Sequence, residues 1–156
     1  MLQPFFEWMQ ALPLSGAIQE SWWMGAAVNI LHLVSLVFFI GGLFIVDLRL
    51  LGVGMREQST AQVYRDARPW MIAGLLMLVL SGIPQLTSLA VRNYYNGAFW
   101  NKMTILPIAL LFTFTIRHRV AAAGERVAAP WPKIVGAVSI LIWTAVIING
   151  RLIGLT

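Results

Sequence analysis

His32 lies inside a charge-free apolar run from Trp22 to Val46. At ~1.5 Å per helical residue it stands roughly 15 Å from the start of that run. An ionisable side chain at such depth marks a functional position. Imidazole stays neutral at modest cost and offers a nitrogen lone pair, which suits an axial position on haem iron. Gly25, Ser35 and Gly42 share its helical face and are small, so a flat macrocycle would pack there. Two other roles stay open for His32, a hydrogen-bonded or proton-relaying histidine and a copper ligand.

His118 falls in Arg117-His118-Arg119. It reads either as part of a basic cluster at a membrane edge or as the second ligand to an iron held by His32. If Lys102 marks the outer surface, His118 lies ~24 Å inward against ~15 Å for His32. Arg92, Lys102 and Arg151 end or begin helices on the side away from the other basic residues. Converging above His32, they would give charge-assisted donors to haem carboxylates; singly, they would snorkel to headgroups. Asp47 and Arg49 read as a structural pair or cap, with a proton site as the alternative.

Other chemistry is missing. The chain has no Cys, so it offers no thiolate metal site, disulfide or iron–sulfur cluster. No Ser/His/Asp set, Gly-rich phosphate loop or paired intramembrane carboxylates occur. Met24, Met71, Met77 and Met103 are scattered rather than clustered as a copper path requires.

These residues need helices to hold them. Of 156 residues, 59% are hydrophobic and only 11% charged. A soluble domain of this length could not bury so much apolar surface. Four runs are long enough for a ~30 Å hydrocarbon layer: about 22–46, 70–91, 100–118 and 134–155. They are continuous rather than alternating, which excludes a β-barrel. The expected fold is all-α, a polytopic membrane four-helix bundle in one domain. Residues 1–20 carry Glu7 and Glu20 without Lys or Arg, unlike a signal peptide. Phe5, Trp8, Met9 and Leu12 predict an interfacial helix over about 4–19, interrupted at Pro13.

The net charge of +5 is sorted by position. Arg49, Arg56, Arg65, Arg68, Arg117, Arg119, Arg126 and Lys133 fall on one side, and Arg92, Lys102 and Arg151 on the other. The richer side is expected in the cytoplasm of a bacterial inner membrane, with both termini outside. The basic excess is therefore topological, and no nucleic-acid partner is expected. Trp22, Trp23, Tyr94, Tyr95 and Trp100 suit the outer boundary, Trp70 and Trp131 the inner one. Pro84 and Pro107 are expected to kink their helices. No internal repeat is apparent.

Small and polar residues predict the inward faces. They are Gly25, Asn29, His32, Ser35 and Gly42 in the first span, and Gly74, Met77, Ser81, Gln85 and Ser88 in the second. Gly136, Ser139, Trp143 and Gly150 mark the fourth. The third offers two faces, Lys102-Ala109-Thr113 or Leu111-Thr115-His118.

Asn29-Ile-Leu-His32-Leu, Gly41-Gly42-Leu-Phe and Asp47-Leu-Arg49-Leu-Leu-Gly52 resemble the first helix of a bacterial superfamily. It contains the HemJ-type protoporphyrinogen oxidases and the membrane domain of copper-resistance D proteins. Ala98-Phe-Trp-Asn-Lys102 and Asn149-Gly-Arg151-Leu add a likeness, over nearly the whole chain, to an uncharacterised four-helix bacterial membrane family in or near that group. The resemblance implies a haem b site using His32 and a functional lysine at Lys102. HemJ-type proteins have a further histidine partway along the third helix, where this chain has Thr113 or its neighbours. The expected function is thus b-type haem binding and electron transfer, with quinone or a partner oxidoreductase. The expected ligands are His32 and His118, with Arg92, Lys102 and Arg151 on the propionates. An enzymatic version of this reading is a haem-dependent membrane oxidoreductase. The alternatives are a cofactor-free accessory or assembly subunit, in a homo- or hetero-oligomer, and copper handling.

Overall fold

A computed structural model describes residues 2–155. Helices α1 (Gln3–Gln10) and α2 (Pro13–Glu20) precede the long α3 (Met24–Leu50) and α4 (Thr60–Ser88). The short α5 (Ala90–Tyr94) leads to α6 (Gly97–Phe112). That helix continues through a π turn (Thr113–Arg117) into α7 (His118–Ala123), and α8 is Trp131–Ile153. Among the described residues every regular element is helical. Four helices are long and apolar enough to cross a membrane, the third being the continuous stretch Gly97–Arg126. The fold is the expected all-α bundle.

Local chemistry sets the boundaries. Ser59 Oγ accepts the Gln62 N–H at 3.2 Å and opens α4. Asn96 Oδ1 accepts the Ala98 N–H at 2.9 Å and opens α6. Both cap signals extend their helices beyond the charge-free runs, so α4 begins ten residues before Trp70. Helix α4 continues through Pro69 and Pro84, and α6 through Pro107. The Thr87 and Ser88 hydroxyls donate to the Pro84 carbonyl as α4 ends.

Small residues let the helix axes approach. A Cβ on Gly74 of α4 would stand 2.7 Å from the Phe39 backbone nitrogen of α3. One on Gly136 of α8 would stand 2.9 Å from the Asp47 carbonyl oxygen. Such contacts give van der Waals attraction where lipid supplies no hydrophobic drive. Asn29 and Met77 depart from the predicted stripes and are exposed. On the third helix Ala109 and Thr113 are buried and Leu111 is exposed, so the first of the two candidate faces turns inward.

The central core holds Phe39, Ile40, Leu43, Met71, Ala109, Trp143 and Val146. Phe39 and Trp143 meet edge-to-face, with ring centroids 4.8 Å apart. A second cluster, including Val46, Leu50, Val63 and Val135, closes the end that carries the basic loops. Phe6, Met9, Ala90 and Phe99 pack at the far end.

The N-terminal segment is two helices, divided as expected around Pro13. They dock on the bundle through polar bonds to the α4–α5 junction. Ser15 Oγ donates to the Thr87 carbonyl at 3.1 Å, Gln19 Nε2 to the Ser88 carbonyl at 2.8 Å, and the Val91 N–H to Gln10 Oε1 at 2.9 Å. These bonds satisfy backbone groups freed where α4 breaks. The predicted apolar stripe splits accordingly. Phe6 and Met9 face the protein, whereas Phe5 and Trp8 are more than half exposed.

Candidate functional site

His32 projects from α3 towards Ser81 and Gly82 of α4. Its Nδ1 lies 3.0 Å from Ser81 Oγ. That hydroxyl is also 2.6 Å from the Met77 carbonyl, which can only accept, so its single hydrogen goes there. Ser81 therefore accepts from His32 Nδ1–H. This fixes the tautomer and leaves the lone pair on Nε2. The ring edge packs against Gly82, where an added Cβ would make an ordinary contact 3.5 Å from Cε1.

Lys102 is half-buried on α6. Its Nζ passes beside Gly150 of α8, where an added Cβ would be 3.5 Å away. Arg92 and Arg151 are exposed at the same end. Arg92 lines an open cleft of about 430 Å³ with Tyr95, Asn96 and Leu152, the last being the neighbour of Arg151. Arg92, Lys102 and Arg151 thus share one end of the bundle, and Lys102 is the one that reaches in.

His118 is elsewhere. Its Nδ1 is hydrogen-bonded to the Tyr64 hydroxyl at 2.6 Å, with the rings tilted at 58°. Tyr64 and Ser81 lie on the same helix, seventeen positions apart. At ~1.5 Å per residue this puts His118 about 25 Å along the bundle from His32. Two ligands of one iron stand only a few ångströms apart, so the expected His32–His118 pair does not form. The third-helix position Thr113 is occupied by packing: its Oγ1 accepts the buried Trp143 indole N–H at 2.9 Å.

The buried charges differ from expectation. Arg117, counted above among the cations of the basic-rich side, is fully enclosed. Its Nε donates to Asp47 Oδ1 at 2.6 Å and its Nη2 to the Leu43 carbonyl at 2.8 Å. Ser139 Oγ donates to Asp47 Oδ2 at 2.6 Å. Asp47 therefore pairs with Arg117 rather than Arg49. Arg49 instead meets Glu125 at 3.2 Å, and Glu125 also accepts the Thr60 N–H at 2.8 Å. Two signals pointed to Arg117. It follows Lys102 by only ~22 Å of helix, inside a ~30 Å layer, and Asp47 at that depth requires a partner. Without Arg117, that end of the bundle still holds seven basic residues against three at the other.

Taken as donors for a haem, the residues fit one-sided ligation. His32 offers a single oriented nitrogen, and among the described residues no second imidazole stands at its depth. Among the described residues no group of three or more His, Asp or Glu side chains is placed to hold a metal ion.

The fold and these buried groups define an α-helical bundle of four potential membrane-crossing helices with polar sites at two levels. The chain belongs to a family of unknown function, DUF6644, whose model matches residues 5–156. No curated protein and no solved structure matches it.

Proposed function

We propose that this is a bacterial inner-membrane protein that holds a b-type haem through His32 and passes electrons. The observation that carries this reading is the Ser81–His32 bond, which fixes Nδ1–H and presents Nε2 as a ligand. Bound there, haem would supply one-electron redox chemistry. Ser81 would orient the ring, and Lys102 would supply positive charge for a propionate. Arg92 and Arg151 stand at the rim for the other. A second protein ligand, if used, would come from outside this chain, and the haem would exchange electrons with quinone or a partner oxidoreductase. The first-helix likeness to HemJ-type and copper-resistance D proteins supports the same assignment. The seven remaining basic residues at that end favour a cytoplasmic placement for it, with both termini outside.

Optical spectra of the purified protein test this reading. Soret and α bands are expected after expression with ample haem, lost in His32→Ala and kept in His118→Ala. A colourless protein overturns it.

The second reading is a cofactor-free accessory or assembly subunit. Its support is that both histidines already have hydrogen-bond partners within the chain. It predicts a colourless protein that co-purifies with other membrane chains. Copper handling has no such support.

A further inference from the structure

The Asp47–Arg117 pair is unequally satisfied. Nε and Nη2 of Arg117 have acceptors, but Nη1 is buried and has no hydrogen-bond partner among the described residues. A guanidinium N–H removed from water and left unpaired is costly. The surrounding turn is itself irregular. Residues Thr113–Arg117 form a π turn, and such turns concentrate at functional positions. Nη1 therefore calls for an acceptor that the protein does not provide.

The chemistry of that acceptor is constrained. The carboxylate of Asp47 already balances the guanidinium, so no further anion is demanded. A large carbonyl ligand would need a cavity beside Arg117. Arg117 and Asp47 are both fully enclosed, which leaves no opening for a bulky group. What remains is small and neutral. Asp47 uses one bond on each carboxylate oxygen and retains lone pairs. Thr113, one turn before Arg117, accepts from Trp143 and keeps its hydroxyl hydrogen to give. A single water accepting from Nη1 and donating to the carboxylate would meet the two to four polar partners that buried waters require.

We propose that Arg117 Nη1 holds one internal water molecule, making Asp47, Arg117 and Ser139 a hydrated polar site inside the bundle. This site is separate from His32 and does not depend on haem. Infrared difference spectra of the full chain in lipid nanodiscs, exchanged between H₂¹⁶O and H₂¹⁸O, test it. The expected signal is an isotope-sensitive O–H stretch from a strongly hydrogen-bonded water. It should vanish in Arg117→Lys, which keeps the charge and removes Nη1, and survive in His32→Ala. Persistence of the band in Arg117→Lys overturns the proposal. Should that variant not fold, a high-resolution density map of the wild type decides. A peak about 3 Å from Nη1 supports the water, and a direct bond from Nη1 to a protein acceptor overturns it.

Discussion

Arg117 Nε reaches Asp47 Oδ1 across 2.6 Å, with both side chains fully enclosed between α3, the third long helix and α8. Either residue alone would leave an uncompensated charge in an apolar interior. Asp47→Ala or Arg117→Ala should therefore destabilise the fold by about 3–5 kcal/mol. The double variant Asp47→Leu/Arg117→Met should recover much of that loss, because paired replacement removes both desolvation penalties. Thermal unfolding in detergent compares the three. Equal destabilisation of single and double variants would refute this account.

Ser81 acts on His32 through the tautomer. Ser81→Ala removes the acceptor for Nδ1–H without touching Nε2. Haem affinity should fall about 10–100-fold, the usual effect of losing a group that orients a metal ligand. Titration of apoprotein with haem measures this. An unchanged affinity would show that Ser81 does not orient the ring.

Gly74 is a steric test of the α3–α4 crossing. Gly74→Ala places a Cβ 2.7 Å from the Phe39 nitrogen and 3.0 Å from the Ser35 carbonyl oxygen, both backbone atoms. The helices must separate, at about 1–3 kcal/mol. Gly41→Ala meets nothing within 4 Å and should be nearly neutral. The difference in unfolding temperature between the two variants is the readout.

The docked N-terminal helices give a local prediction. Gln10→Ala and Gln19→Ala each remove one bond to the α4–α5 junction. Each should cost about 1 kcal/mol and raise amide exchange over residues 3–20 before the long helices are affected. Hydrogen-exchange mass spectrometry resolves this. Exchange unchanged over that segment would mean that lipid contact, rather than these bonds, holds it.

Much of this architecture is legible in the residues. Apolar run length identifies the four long helices, and Gly74, Gly136, Ser139 and Trp143 mark inward faces because close packing selects small or hydrogen-bonded residues. Arg117 reads as one more cation of the basic side because proximity to Arg119 and a basic count say nothing about side-chain direction. The two faces of the third helix could not be ranked because a π turn changes the angular register midway. His118 found Tyr64 rather than His32 because a partner on another helix depends on depth, which run boundaries fix only loosely. The docking of α1 and α2 depended on backbone groups exposed at a helix break, which side-chain periodicity does not encode.

The wide turn at Thr113–Arg117 also bears on how related chains are to be aligned. Each α-helical residue rotates the chain by about 100°. A relative with an unbroken α-helix there would present its downstream residues one position out of phase with this chain. A one-residue gap inside the turn restores correspondence, and without it equivalent positions would be paired across different faces. Counting from Lys102 thus identifies counterparts only as far as Thr113; beyond it, the match must be anchored from Arg117 and its acid on the first long helix.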